Sequence, residues 1–339
     1  MGKSAWGDSE TQYFFELSPD HVLDSVEEAG FRCTGKCVAL NSYENRVYEV
    51  EIEIEKQDWQ HPYDNRKIVK FYRPGRWSKE QILEEHEFLK DLDTNEIPVV
   101  PPLPFKGGKT LNKTQVGNLW YALFPKVGGR IPQELDDDQL QWIGRLLARM
   151  HGIGFSKKAS HRIRLNCETY GWANLDYLLG HKWIPPEIAS GYKQTVESIL
   201  TLSQPMFENI LTHRVHGDCH LSNILWDKEG PFFLDFDDMV TGPPVQDFWL
   251  LLSGRDADGQ ADLESLLEGY EQMRDFDRST LRLIEPLRAL RFIHFTSWIA
   301  RRWKDPAFPK AFPHFNTPHY WGQCLQDLRE QLGYIQNLQ

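Results

Sequence analysis

Long apolar runs are missing from this chain: no window approaches about 18 consecutive apolar residues, which excludes a membrane-spanning helix on sequence grounds. Cysteine is scarce and odd in number. Cys33, Cys37, Cys167, Cys219 and Cys324 form no paired C-x-x-C knot, so neither a disulfide framework nor a zinc site is indicated, and reduced thiols are expected. Basic charge is in deficit, with 38 Lys and Arg against 49 Asp and Glu, a formal net charge of -11. A nucleic acid or an anionic membrane would demand a basic stripe, so neither is expected as the main partner. The opening MGKSAWGDSE lacks the apolar core of a signal peptide, and Trp6 stands where a myristoylation signal needs Ser or Thr. A cytoplasmic location and a monomeric state are expected. Internal repeats and low-complexity segments are absent as well. What remains is a globular composition, 40% hydrophobic and 13% aromatic over 339 residues, enough for one large bilobal domain or two ordinary ones.

The chemistry concentrates between His216 and Asp247. The run His216-Gly217-Asp218-Cys219-His220-Leu221-Ser222-Asn223 fits the spacing of the catalytic-loop pattern H-R-D-L-x-x-x-N, with Gly in place of Arg. Apolar residues 224–226 and 232–234 flank the polar 227–230, which predicts a hairpin, and the second strand ends in Asp235. Phosphoryl transfer needs a carboxylate to receive the acceptor proton, and an amide oxygen and a second carboxylate to hold Mg²⁺. Asp218, Asn223 and Asp235 supply these in chain order, although each alone would be an ordinary turn residue. Asp247 follows Gly-Pro-Pro and opens an apolar helix over 248–252, so it is expected to cap that helix and brace the loop carrying His216.

Upstream, Ser18 and Pro19 start a helix that Gly30 ends, and strands are expected over 31–40, about 46–55 and 67–72. In the second of these, Val50, Ile52 and Ile54 alternate with Glu49, Glu51, Glu53 and Glu55, which predicts one core face and one wet face. The third carries Lys70 in Ile-Val-Lys-Phe, comparable to the strand motif V-A-I-K. Ser78 caps a helix over 79–92 whose Glu85, with Glu84 as rival, can point back to Lys70. A strand over 120–124 is broken at 125–129. Such a break offers backbone groups around Phe124, Lys126 and Val127 to an adenine edge. Loop 41–46 has no glycine, so any phosphate cradle must use a tight turn and the Ser42 hydroxyl, which leaves the choice between ATP and GTP open. Helices dominate from 136 onward, and His151 near the end of the first reads as a packed or capping histidine. The helix over 287–303 carries Arg288, Arg291 and Trp298. These are candidates for binding an acidic part of the acceptor, or partners for acids such as Glu285 and Asp305.

The sheet lobe, the break and HGDxxxxN before an Asp-ended strand resemble the protein-kinase-like superfamily in its aminoglycoside phosphotransferase and choline kinase branch. Within that branch LNSYENRVYEV, IVKFYRPGRW, ILEEHEFL, FPKVGGR, HGDCHLSNILW, GPPVQDFWLLLSG, EPLRALR and RRWKDPAFP, in this order, resemble the bacterial stress response kinases, which are Ser/Thr protein kinases. Two features depart from that pattern: 227–230 is one residue longer, and the 51–66 hairpin is long and acidic. The resemblance implies an α+β, bilobal protein-kinase-like fold. A small antiparallel-sheet lobe with one main helix would occupy 1–125, and a mostly helical lobe 126–339. It also implies ATP as co-substrate, Mg²⁺ on Asn223 and Asp235, Asp218 as acceptor-activating residue, Ser42 beside the nucleotide, and a protein bearing Ser or Thr as acceptor. A small-molecule kinase acting on an aminoglycoside, choline or homoserine hydroxyl uses the same parts and is the alternative. A catalytically dead nucleotide-binding scaffold is disfavoured because Lys70, Asp218, Asn223 and Asp235 are all present.

Overall fold

The computed structural model describes residue 14, residues 17–115 and residues 117–338. Most of the polar stretch expected up to Phe15 lies outside the described residues. The chain divides into two compact units, one made of the described residues up to Gln139 with Asp218–Met239, the other of Leu140–Gly217 with the residues from Val240 on.

In the first unit, helix α1 (Pro19–Glu28) starts at a capping box in which Ser18 and His21 exchange hydrogen bonds. Strands β1 (Cys33–Ala39), β2 (Arg46–Ile52), β3 (Arg66–Phe71), β4 (Asn112–Lys113) and β5 (Trp120–Pro125) form one sheet in the order β1-β2-β3-β5-β4. Every pairing is antiparallel, so alternate residues line opposite faces. Val50, Ile52, Val69, Phe71, Tyr121 and Leu123 pack with Val22 and Val26 of α1 into one core. Each such side chain contributes about 1.5–3 kcal/mol of burial.

The expected wet face of β2 is only partly wet. Glu51 pairs with Lys36 near solvent, but Glu49 is buried between Arg66 and Lys126, and Ile54 falls beyond the strand. Helix α2 (Lys79–Thr94) begins at a second capping box, Ser78 with Gln81, and buries Ile82, Glu85, Phe88, Leu89 and Leu92.

The predicted hairpin is present as β7 (Ile224–Asp227) and β8 (Gly230–Phe233), after β6 (His213–Val215) of the second unit. It groups with the sheet, where the division at 125/126 had put it with the helices. The cause is backbone bonding: Arg130 exchanges both bonds with Trp226, and Phe233 donates to the Pro98 carbonyl at 2.8 Å. Phe88 also meets Phe236 edge to face at 5.8 Å.

The second unit holds α3 (Asp137–Ser156, from Leu140 on), α4 (Ala173–Gly180), α5 (Pro186–Ser203), β9 (Val240–Gly242) paired with β6, and helices α6 (Gln246–Trp249), α7 (Ala257–Glu271), α8 (Ile284–Arg302), α9 (Ala307–Ala311) and α10 (Pro318–Gln336). Helices α3 and α7 approach so closely that a Cβ on Gly144 would strike the Leu266 carbonyl, and one on Gly269 the Gln141 carbonyl. Leu175, Tyr192, Ile199, Leu290, Ile293 and Trp321 belong to its core.

His213 is buried in this unit. Its Nδ1 donates to the Arg214 carbonyl at 2.9 Å, and Nε2 has no hydrogen-bond partner among the described residues. Burial, followed by the neighbouring His151, pushes its pKa down to about 3. The fold therefore favours the neutral ring: its contribution to stability is complete above the ordinary value of 6.5 and is lost as pH falls from there to about 3. Chemical unfolding of wild type between about pH 7.5 and 5 is expected to show a loss of stability that is shallower, by up to about one proton, in His213→Phe. Equal slopes would clear His213 of that role.

Candidate active site

Lys70 projects from the sheet face opposite Val69 and Phe71, and its register partner on β5 is Ala122, whose small side chain leaves room for it. Its side chain is 9% exposed, and its ammonium lies 3.1 Å from Asp237 Oδ1, 3.4 Å from Glu85 Oε1 and 3.4 Å from Asp235 Oδ1. Of the two acids that could meet it from α2, Glu85 is the one placed against it. Burial alone would lower the lysine pKa, but Asp237, Glu85 and Asp235 together hold it well above the ordinary value. The ammonium is charged at any physiological pH.

The hairpin brings the other expected residues to its open end. Asn223 Nδ2 donates to the Asp218 carbonyl at 2.9 Å, and Leu234 N–H donates to the Asn223 carbonyl at 2.8 Å. Asn223 and Asp235 thus flank the last paired residues, Ile224 and Phe233. Asp235 sits at φ 54° and ψ 70°, a left-handed conformation costly for a residue with a Cβ, and its side chain remains 55% exposed. Asp218 faces His220, with Nε2 to Oδ2 at 3.3 Å. Asp238 has a raised pKa because burial and the charges of Asp218, Asp237 and Asp235 outweigh the pull of Arg76.

Several participants escaped the sequence reading. Asp237 and Asp238 were not singled out, and their proximity to Asp235 in the chain was the only signal. Arg73 and Arg76, from the turn after β3, reach Glu44 in loop 41–46, where Ser42 is half-buried. At the predicted hinge, β5 runs through Pro125, one residue beyond the expected strand. The Lys126 ammonium is taken by Glu49, whose carboxyl is held below its ordinary value by Lys126 and Arg66 although burial would raise it. The Lys126 side chain is therefore engaged within the sheet unit, which leaves its backbone for the role expected of this break. Gly128 has no space for a Cβ because the ring of Tyr63, from the long acidic hairpin, lies against it.

In the second unit Asp247 is not the helix cap expected. Val245 holds that position and the helix is one turn long. Asp247 is instead fully buried, accepting from His216 N–H and Gly217 N–H, each at 2.8 Å, and from His151 Nε2 at 3.1 Å. Burial would raise its pKa, but the hydrogen bonds from His151 and Gly217, with His216 nearby, hold it below the ordinary value. His151, packed as expected, also meets the Tyr270 hydroxyl at 3.2 Å. His216 is buried, and Gln246 Nε2 donates to the Gly217 carbonyl at 2.8 Å. The two residues that precede Asp218 in the chain are thus fixed by side chains of α6. On α8, Arg288 pairs with Glu285 at 3.6 Å and lies over the Trp249 ring, while Trp298 packs with Phe295, Phe308 and Phe312. Arg291 is half-buried.

An antiparallel sheet with a buried Lys–Glu pair, a helical remainder and an HGDxxxxN hairpin ending in Asp define a kinase-like phosphotransferase. Solved structures share this fold. Amicoumacin kinase hAmiN, solved with AMP-PNP, Ca²⁺ and Ami, superimposes with a TM-score of 0.71 at 18% identity, covering 94% of this chain and 96% of that one. A microcompartment-associated aminopropanol kinase gives 0.65 at 18% identity, covering 93% and 100%.

Residues 36–284 match the model of the phosphotransferase enzyme family, and the chain belongs to that family. Stress response kinase A of Escherichia coli (strain K12) is 39% identical over 325 residues, 95% of both chains. Serine/threonine protein kinase RdoA of Salmonella typhimurium (strain LT2) is 38% identical over 320 residues, 94% of this chain and 93% of that one. The resemblance to the stress response kinases and the α+β bilobal kinase-like fold are both borne out.

Removing Asp247 would strand two buried backbone N–H groups and the His151 ring. Asp247→Ala is expected to lower unfolding stability by roughly 2–5 kcal/mol, measured by urea titration. A loss under about 0.5 kcal/mol would mean that water replaces the carboxylate without cost.

Proposed function

We propose that the chain transfers the γ-phosphoryl group of ATP to the hydroxyl of a Ser or Thr in a protein, with Mg²⁺ held by Asn223 and Asp235. The observation that carries this is the buried Lys70 ammonium gathered against Glu85, Asp235 and Asp237 beside the hairpin that presents Asp218 and Asn223. Lys70 would bind phosphate oxygens and Glu85 would orient it. The metal fits the residues present: an exposed carboxylate at Asp235 and an amide whose nitrogen is spent on Asp218, so that its oxygen is the group left to offer, are hard oxygen donors of the kind Mg²⁺ prefers. When bound, Mg²⁺ would neutralise charge on the β- and γ-phosphates.

Asp218 would accept the proton of the acceptor hydroxyl as the new oxygen–phosphorus bond forms and the bond from the γ-phosphorus to the bridging oxygen breaks, releasing ADP. Ser42 lies in the loop that would close on the phosphates. A cytoplasmic site of action fits five cysteines that form no disulfide.

The protein acceptor is supported by the relatives named as stress response or serine/threonine protein kinases at 38–39% identity. A small-molecule acceptor is the second reading, favoured by the fold neighbours hAmiN and the aminopropanol kinase. Incubating purified protein with γ-labelled ATP and a cell extract separates the two. Label is expected in protein, and label confined to small molecules would establish the second reading. Only eleven residues separate Asp235 from Asp247, too few for a long switch segment, so phosphatase treatment is expected to leave activity intact.

The roles of the two aspartates have different signatures. Asp218→Asn should keep MgATP affinity and slow transfer by about 10² to 10⁴. Asp235→Ala should weaken MgATP binding itself, read by calorimetry, because it deletes a metal ligand. Wild-type turnover in the first or wild-type affinity in the second would remove that residue from its role.

A further inference from the structure

The loop expected to meet the phosphates, residues 41–46, has no glycine, and its conformation is held from outside. Arg73 donates from Nε to the Glu44 carbonyl at 2.8 Å and from Nη2 to the Tyr43 carbonyl at 3.0 Å, and its backbone N–H donates to Asn45 Oδ1 at 3.1 Å. Arg76, with a side chain only 3% exposed, spans further. One Nη lies 3.1 Å from Glu44 Oε1, the other bonds Asp238, and Nε lies 3.5 Å from Asp237 Oδ2. Asp237 in turn is 3.1 Å from the Lys70 ammonium.

A single buried guanidinium therefore touches the acid of the loop and both acids that follow Asp235. Burying it is costly, and apolar side chains would stabilise the turn as well or better, so its value lies in what it joins. Its planar fork can meet several carboxylates at once, as an ammonium cannot.

We propose that Arg76 is a positioning residue that couples loop 41–46 to the Asp235–Asp238 segment. The loop that would cover the phosphates and the segment whose Asp235 would hold their metal then move as one body. This rests on the site being a nucleotide site. Without Arg76 the loop, still held by Arg73, loses its tie to the Asp235–Asp238 segment, and the charge of Asp237 falls on Lys70 alone, drawing the ammonium away from phosphate.

Hydrogen exchange on the nucleotide-free protein tests the coupling directly. In Arg76→Met, exchange should rise in residues 41–46 and 236–239 together while the rest of the sheet stays protected. Calorimetry should show MgATP affinity falling roughly tenfold, with Arg76→Lys recovering only part of it. In a double-mutant cycle on MgATP affinity, Glu44→Gln and Asp238→Asn should deviate from additivity by about threefold or more with Arg76 present, and be additive in Arg76→Met. Should Arg76→Met fail to fold, Glu44→Gln alone carries the test, with raised exchange expected at 236–239 as well as in the loop.

A lower melting temperature with unchanged affinity and unchanged local exchange would overturn the proposal and leave Arg76 a stability residue. Additivity in both backgrounds would overturn it too. Coupled exchange in a wild-type protein that binds no MgATP would support the coupling and sink the nucleotide reading.

Discussion

A buried ammonium is the constraint on which the first unit depends. Placing Lys70 inside the fold is unfavourable unless counter-charges surround it, and the three that do so come from two elements far apart in sequence, Glu85 from α2 and Asp235 and Asp237 from the turn after β8. Burying Lys70 therefore requires the strand, the helix and the hairpin to be in place together. Apolar packing brings them into range: Glu85 and Phe88 share a face of α2, and Phe88 packs on Phe236 between the two aspartates. Alternation along β3 does the rest, since Val69 and Phe71 in the core force Lys70 to the other face.

The second unit contains the opposite case, a buried carboxylate. Asp247 survives burial because two backbone N–H groups and a histidine supply its hydrogen bonds, and the result is a fixed backbone at His216 and Gly217, directly before Asp218 in the chain. In both units a charge that is costly to bury specifies one arrangement of the atoms around it. Net stability comes from elsewhere, from the leucine, valine and aromatic cores.

Much of the candidate site was legible because its parts lie close together in the chain. The hairpin that carries Asn223 and Asp235 is spelled by two short apolar runs around a polar turn, and the HGDxxxxN spacing places Asp218 at its base. The capping boxes at Ser18 and Ser78 were equally readable, since a cap acts over three residues. Where the reading went astray, a distant partner had overruled a local rule. Asp247 has the neighbours of an N-cap, but the orphan N–H groups it found belong to residues about thirty positions earlier. Glu49 alternates with apolar residues as a wet-face residue should, yet Arg66 from the next strand and Lys126 from beyond β5 turned its position into a buried ion cluster.

The sequence by itself determined the elements, the order of the chemical groups and the class of chemistry, because periodicity, capping and motif spacing act over a few residues along a covalent chain. Only the tertiary structure decided that Glu85 meets Lys70, that Asp237 joins them, and that Arg76 ties Glu44 to Asp237 and Asp238. Those pairings span from 15 to more than 160 positions of sequence. Which charges meet across such distances is set by strand register and helix packing, and no local pattern of residue types encodes it.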